Sequence, residues 1–447
     1  MKFTILHTND IHSHFNSIPR IATIFKQYND SNTIKLDAGD FIDSCDYLVV
    51  AENGKYGSSL LSYLDYDAAT IGNNEYLLTS TKIYEESKTP YICCNLTNMD
   101  STPLTGVAPS IIKIINGIRF LIIGNTVNGI DTYNEVLSLY NKRAHFIEES
   151  LRHVLNKHKG MYDIAIVLSH ASYEEDIELA DLFPEIQIII GGHTHLLMEN
   201  IEKHNNAYLH ISGQYGEYVG KLTLDIDDET KTIVSCQSEQ IPTSTIIDDE
   251  PTKAYLEQLR SIAISQLKTP IFSIDYELAH SLTYENSISN MLADALYHYC
   301  DCDLGIINTG IISQGLPKGP ISEYDLLNSI PSPMNPSFAV IKGKNIKEAY
   351  LLSLNNDYVM KPGRAPGYRG KHIGTLAFSS NVEIIDGSIY INNELLDEHR
   401  EYHVLTSGYL QKGSGYPSLA STKEVSHKSI LIRDLFKEYI KKNKPKI

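Results

Sequence analysis

Residues 3–15 read Phe-Thr-Ile-Leu-His-Thr-Asn-Asp-Ile-His-Ser-His-Phe, and this stretch decides the fold of the N-terminal half. An apolar run of strand length, Phe3 to Thr8, gives way at once to polar residues that include Asp10 and His12. A buried strand ending on Asp-x-His sets a carboxylate and an imidazole at its C-terminal tip, where open α/β sheets place their ligands. The construction recurs downstream. Runs at 33–39, 66–72, 162–169 and 186–192 lead into Asp40, Asn73, His170, and the pair His193 and His195. With further runs at 90–95 and 120–126, apolar strands alternate with helix-like stretches up to about residue 240. Continuous apolar strands separated by helices suit a sheet covered on both faces, an α/β layered domain.

Beyond residue 240 the character changes. Asp248 to Glu250 followed by Pro251 is a helix start, acidic residues with an early proline, and it opens a helical pattern to about 268. The reading is a catalytic domain at 1–245, a linking helix at 246–270 and a second α/β domain at 271–447. In that second domain helices are predicted near 286–299, 322–329, 344–354 and 428–441, with a loop at 355–372. A chain of 447 residues is too long for one compact core, which agrees with two domains.

Each strand tip therefore carries a metal donor. Carboxylate and amide oxygens mixed with imidazoles suit a pair of divalent ions such as Mn, Zn, Co or Fe. Asp40 is the natural bridge, because it lies on a tight Gly-Asp turn between the other ligands, and one carboxylate shared by two ions holds them about 3.5–4 Å apart for phosphoryl chemistry. A single Asp-x-His is weak evidence, since few such pairs are functional, and a Gly-Asp at a strand end is often only a helix cap. Five such elements in one order, each just after a strand, carry the reading.

The formal net charge of −17 argues against a nucleic-acid polymer as partner. Any phosphate must be captured locally, by metals or a few placed cations. No apolar stretch with a cleavage site precedes the first strand, and no run of about 18 apolar residues occurs, so the expectation is a cytoplasmic protein without a membrane span. The cysteines (Cys45, Cys93, Cys94, Cys236, Cys300 and Cys302) lack CxxC spacing and read as free, buried thiols. Oligomeric state is not legible.

The series Asp-x-His, Gly-Asp, Gly-Asn, His and Gly-His-x-His resembles the calcineurin-like metallophosphoesterase superfamily. The opening stretch and a C-terminal half of this length are similar to the bacterial 5′-nucleotidase family, which includes UDP-sugar hydrolases and 2′,3′-cyclic phosphodiesterases. The resemblance covers almost the whole chain. It implies a four-layer catalytic domain of two mixed sheets flanked by helices, joined by a helix to a C-terminal α/β 5′-nucleotidase domain that grips the nucleoside. It also implies that Asp10, His12, Asp40 and His195 hold one metal, that Asp40, Asn73, His170 and His193 hold the other, and that metal-bound hydroxide attacks phosphorus.

Departures from the family pattern are specific. Gly-Asn-His-Glu becomes Gly72-Asn73-Asn74-Glu75, and the Asp that would orient the missing His is Leu77. Asn74 donates a hydrogen bond but no proton, which leaves Asn74 and Glu75 as the candidate catalytic residues, with Glu75 as the remaining acid or as a brace for its loop. In the C-terminal half the family's Asn-x-Gly-Gly-Ile-Arg reads Asn308 to Ser313 without the Arg, and Gly-Gly-Asp-Gly-Tyr reads Lys412 to Tyr416 without the Asp. Candidate substrate contacts there are Asn308, Arg364, Arg369, Tyr409, Ser414 and Tyr416. The resulting expectation is a phosphohydrolase for nucleotides or related small phosphoesters. A cyclic phosphodiesterase, a nucleotide pyrophosphatase or a metal-loaded binding protein with weakened turnover are the alternatives.

Overall fold

The computed structural model describes residues 1–443 apart from Thr79, Pro366, Thr422 and Glu424. The last four residues of the expected second domain, and Pro366 of the expected loop, thus lie outside the described residues. The chain divides into two compact units, Met1–Ala263 and Ile264 onward, and the division falls within the helix Glu250–Leu267.

In the first unit a seven-stranded sheet runs, edge to edge, Ile233–Pro242, Tyr218–Ile226, Lys2–Thr8, Thr33–Asp37, Ala68–Thr70, Tyr91–Ile92 and Val107–Ala108. From Lys2–Thr8 to Val107–Ala108 the pairing is parallel, and Tyr218–Ile226 adds antiparallel to the first strand. A six-stranded sheet runs Glu202–His204, Ala207–His210, Ile188–Gly191, Ile164–Ser169, Ile118–Asn125 and Ser110–Ile115, again parallel at its centre.

The strand period of two sorts the side chains into layers. Phe120 and Ile122 join Phe3, Ile5, Ile34, Leu36, Ile166 and Ile188 in a core between the two sheets. Their neighbours Leu121 and Ile123 point the other way, onto Leu151 and Val154 of helix Ile147–Lys157 and Leu179 of helix Tyr173–Leu182. On the outer face of the seven-stranded sheet, Leu6 and Ala69 meet Ile21 and Phe25 of helix Ile18–Tyr28 and Leu60 of helix Lys55–Tyr63. Helix, sheet, sheet, helix is the four-layer arrangement the sequence implied.

The core between the sheets includes polar side chains as well. His7 and His210 are fully buried, ring edge to ring face, with His7 Nε2 and His210 Nδ1 2.8 Å apart. Burial lowers both rings, His7 with help from His210 and His210 to about 4, so both stay neutral.

The second unit is built on a five-stranded sheet ordered Leu376–Phe378, Leu304–Asn308, Glu401–Ser407, Pro336–Lys342 and Ser426–His427. Helices Ser287–Tyr297, Glu323–Ser329, Gly343–Ser353 and Ile432–Lys442 contribute to its single apolar core. The predicted loop at 355–372 contains a helical turn, Asn356–Val359, capped by the Asn355 side chain, which accepts from the amides of Asp357 and Tyr358. The six cysteines are free, but only Cys93 is buried; the others are half-buried. Among the described residues no helix is long and apolar enough to cross a membrane.

Candidate metal centre

The first unit gathers the loops that follow five of its parallel strands at one place. Asp10, His12, Asp40, His193 and His195 adopt left-handed backbone, with φ of 52°, 47°, 53°, 66° and 58°. That conformation costs an L-residue about 1–2 kcal/mol, and its clustering marks a site where backbone strain serves side-chain placement. Glycine is required beside it. A Cβ on Gly72 would sit 2.1 Å from Asp40 Oδ1, and one on Gly39 would sit 2.8 Å from His170 Nδ1.

The seven sequence-predicted donors converge. Asp40 Oδ2 lies 3.6 Å from His12 Nε2 and 3.5 Å from His170 Nε2, between two groups of ligands. In one group, Asp10 Oδ1 is 3.6 Å from His12 Nε2 and 3.4 Å from His195 Nε2, and the two imidazole nitrogens are 3.0 Å apart. In the other, Asn73 Oδ1 is 3.2 Å from His170 Nε2 and 2.8 Å from His193 Nδ1. Donor atoms that share one ion at about 2.1 Å stand roughly 3.0–3.5 Å from each other. Two imidazole nitrogens facing across 3.0 Å with a carboxylate beside them fit a shared cation well. The donor set therefore suits divalent metal.

Supporting contacts orient the rings. His170 is fully buried, and its Nδ1–H donates to the Ala38 carbonyl at 2.8 Å, which turns Nε2 toward Asp40 and Asn73. The Asp10 carboxylate accepts the His193 amide at 3.0 and 3.1 Å. Burial alone would raise Asp10 and Asp40, but His12 and His195 outweigh it at Asp10, and His170 does so at Asp40, so both stay ionised. Burial would likewise lower His170, and the pull of Asp40 and Asp10 instead raises it to about 10. His193 is lowered to about 4 by burial and by His170, which keeps its lone pair available.

Asn74 faces this cluster. Its Nδ2 donates to Asp40 Oδ2 at 2.6 Å, and its backbone amide donates to Asp40 Oδ1 at 2.7 Å. Glu75, read from sequence as a brace for its loop or as the remaining acid, has the surroundings of a brace. It is fully buried, with Oε2 accepting the amides of Asp40 at 3.0 Å and Gly72 at 2.9 Å, and Oε1 accepting that of Ile42 at 3.1 Å. Both oxygens are spent on backbone, so Glu75 ties the Gly-Asp turn to the Gly-Asn turn. Leu77 packs against the helix-side core.

In the second unit the candidate substrate contacts do not form one exposed group. Tyr409 is buried and stacked on Tyr368 with ring centroids 4.1 Å apart. Tyr416 is fully buried, and its hydroxyl donates to the Gly374 carbonyl at 2.7 Å. Both are core residues, a correction to the sequence reading. Asn308 is buried as well, its Nδ2 donating to Tyr368 Oη at 3.1 Å and to the Ile373 carbonyl at 2.6 Å. Arg364 is exposed, while Arg369 and Ser414 are half-buried.

Three residues at the centre escaped sequence reasoning. Tyr215, at φ 61°, donates its amide to the Asp10 carbonyl at 2.7 Å, stacks on His14 at 3.8 Å and stands edge-on to His12. Tyr133 Oη lies 3.4 Å from His193 Nε2. Lys142 is buried, with Nζ donating to the carbonyls of Tyr76 at 2.7 Å and Leu78 at 2.6 Å. Tyr215 had a signal, a polar Gln-Tyr-Gly-Glu turn between two strands; Lys142 had none.

The calcineurin-like phosphoesterase family model matches residues 3–197, and the 5′-nucleotidase C-terminal domain model matches residues 263–421. The chain belongs to the 5′-nucleotidase family of calcineurin-like phosphoesterases. It is accordingly a phosphoric ester hydrolase of a class that uses divalent metals. The uncharacterized metallophosphoesterase YunD of Bacillus subtilis is 28% identical over 95% of both chains. The trifunctional nucleotide phosphoesterase protein YfkN of the same organism is 24% identical over 98% of this chain, which spans 34% of that longer protein. The structure of Haemophilus influenzae NAD nucleotidase superposes with a TM-score of 0.67 at 16% identity, over 99% of this chain and 97% of that one, a likeness of fold.

Proposed function

We propose that this family member hydrolyses nucleotides or related small phosphoesters at a two-metal centre. Asp10, His12, Asp40 and His195 would hold one divalent ion, and Asp40, Asn73, His170 and His193 the other, with Mn, Zn, Co and Fe the metals that suit this donor set. The observation that carries the reading is Asp40 Oδ2, which lies within 3.6 Å of a ligand nitrogen from each group. Several relatives are named for action on nucleotides, among them YfkN and the snake venom 5′-nucleotidase of Naja atra.

When bound, two such ions supply Lewis acidity toward phosphoryl oxygens and a water nucleophile at neutral pH. The chain's own residues supply placement. Glu75 fixes the turn that presents Asp40, and the Ala38 carbonyl orients the His170 ring. Asn74 offers a neutral N–H beside Asp40, suited to a phosphoryl oxygen and unable to protonate a departing alkoxide. Leaving groups that depart as stable anions, aryl oxides and phosphates, should therefore be preferred.

The test is turnover of nucleoside mono-, di- and cyclic phosphates and an aryl phosphate by the Mn-loaded protein, with metal analysis of Asp40→Ala and His195→Ala. Asp40→Ala should lose both ions, and His195→Ala should keep the other site partly filled. Two ions retained by Asp40→Ala would refute the shared ligand. Leu77, half-buried and packed against apolar core where the family carries an Asp, favours one second reading: a metal-loaded sensor that binds nucleotides without turning them over. Saturable nucleotide binding with no turnover of any of these esters would establish that alternative.

A further inference from the structure

Asp176, in the first turn of helix Tyr173–Leu182, is fully buried, and neither of its carboxylate oxygens has a hydrogen-bond partner among the described residues. Its neighbour Glu175 is spent on the start of the helix, accepting the Ser172 amide at 2.9 Å and the Asn128 side chain at 3.0 Å. The strand register defines what faces Asp176. Asn125, Ser169 and Gly191 end three adjacent parallel strands and stand in one row, Asn125 opposite Ser169 and Ser169 opposite Gly191. With a period of two they point to the helix side, as Ile123, Val167 and Ile189 do before them. A Cβ on Gly191 would sit 2.6 Å from Asp176 Oδ2, so the glycine admits the carboxylate to this row. Asn125 Nδ2 donates to Ser169 Oγ at 3.1 Å, which turns Asn125 along the same row, and its Oδ1 is buried without a partner.

The orphans of this row are all acceptors: Asp176 Oδ1, Asp176 Oδ2 and Asn125 Oδ1. A carboxylate buried without compensation is costly, so positive charge belongs here. Burial pushes Asp176 up to about 8, and the Ser169 hydroxyl pulls it back toward the ionised form. One proton bridges at most two of the three orphan oxygens, whereas a cation contacts all three and Ser169 Oγ together. An all-oxygen set selects a hard cation, unlike the mixed imidazole set of the metal centre. One carboxylate among neutral oxygens balances a single positive charge, and a divalent ion would leave net charge buried.

We propose that Asp176, Asn125 and Ser169 form a buried site for a monovalent alkali cation, sodium or potassium. The residues that follow the row are Thr126, His170 and Gly192, so the cation braces the roots of the loops that present His170 and His193. The site rests on neither the two-metal reading nor the substrate reading.

The experiment melts the full-length chain, with and without added Mn, in sodium, potassium and choline chloride at equal ionic strength. Crystals grown in rubidium chloride are examined for anomalous scattering. The first unit's midpoint should be about 2–5 °C higher in either alkali salt at about 100 mM than in choline chloride. Asp176→Asn should lose that difference, and rubidium should give an anomalous peak between Asp176, Ser169 and Asn125. If the variant fails to fold, the native protein's salt response and the rubidium peak still decide. Equal midpoints in the three salts would overturn the proposal and leave the carboxylate to a proton. An alkali response that survives Asp176→Asn would overturn it too, as would density at the site without anomalous signal, the mark of an ordered water.

Discussion

Replacing Glu75 by Gln separates a bracing role from a proton-donating one. The carboxylate is fully buried and accepts three backbone amides, from Asp40, Gly72 and Ile42. A Gln of the same shape has one acceptor oxygen, which can keep the Asp40 and Gly72 amides, and an NH2 group that must then face the Ile42 N–H. A lost charge-assisted bond with an orphaned buried donor costs about 2–4 kcal/mol. Against this, losing the charge ends repulsion with Asp40 and the penalty of burying an ionised group, which push Glu75 up to about 7. A rise from 4.5 to about 7 is worth about 3 kcal/mol, so the two effects nearly offset and stability should move by no more than about 1 kcal/mol. The orphaned Ile42 amide still loosens the turn that presents Asp40, so metal affinity should decline. Calorimetry gives the midpoint of the first unit's unfolding, metal analysis gives occupancy, and turnover is expressed per loaded site. The expected result is a midpoint near that of wild type, lower occupancy at limiting metal and turnover per loaded site within a few-fold of wild type. Unchanged occupancy with turnover down about 10²–10⁴-fold, the usual worth of a general acid, would show that Glu75 donates the proton and that the bracing argument is wrong.

Three further outcomes follow from the described contacts. Asn74→His alone should gain little turnover on a nucleoside monophosphate, since Leu77 cannot orient the ring, whereas Asn74→His with Leu77→Asp should exceed the sum of both singles; a double variant no faster than wild type would sink the leaving-group argument. Tyr416→Phe deletes the bond to the Gly374 carbonyl inside the core, so it should cost about 1 kcal/mol of second-unit stability with KM unchanged, and a raised KM at unchanged stability would return Tyr416 to the substrate. For pH, His210 has its folded pKa held near 4, below its unfolded value. The unfolded chain therefore takes up a proton that the folded chain refuses once pH falls below about 6.5, and stability declines from there to about pH 4, by about 3 kcal/mol for this one ring. A His210→Gln variant with the same acid slope as wild type would contradict this.

The layered fold and the metal centre were legible for one reason. Each donor is the first functional side chain after an apolar strand, so local order in the sequence maps directly onto the C-terminal ends of parallel strands in the two sheets. Tyr215, Tyr133 and Lys142 were not legible, because their partners (Asp10, His193, and the carbonyls of Tyr76 and Leu78) are distant in sequence and meet them only through tertiary packing. Tyr409 and Tyr416 misled for a different reason. They were candidates because they align with nucleoside-contacting positions of the family, yet Gly413 and Gly415, at φ 75° and 77°, belong to a turn whose flanking tyrosines both lie in the core.

The left-handed backbone at the metal ligands also constrains how this centre could decay over generations. A mutation at Asp10 or Asp40 must supply a side chain that tolerates φ near 50°, and Asn and Gly meet that demand most readily, whereas β-branched replacements do not. Asn keeps the oxygen and sheds the charge, so a lineage drifting by tolerated steps would pass through folded proteins that bind metal weakly before reaching proteins that bind none. A shared ancestry of this kind would populate the family with well-folded, slow or silent relatives, separated from their active cousins by a single atom exchanged at a strand tip.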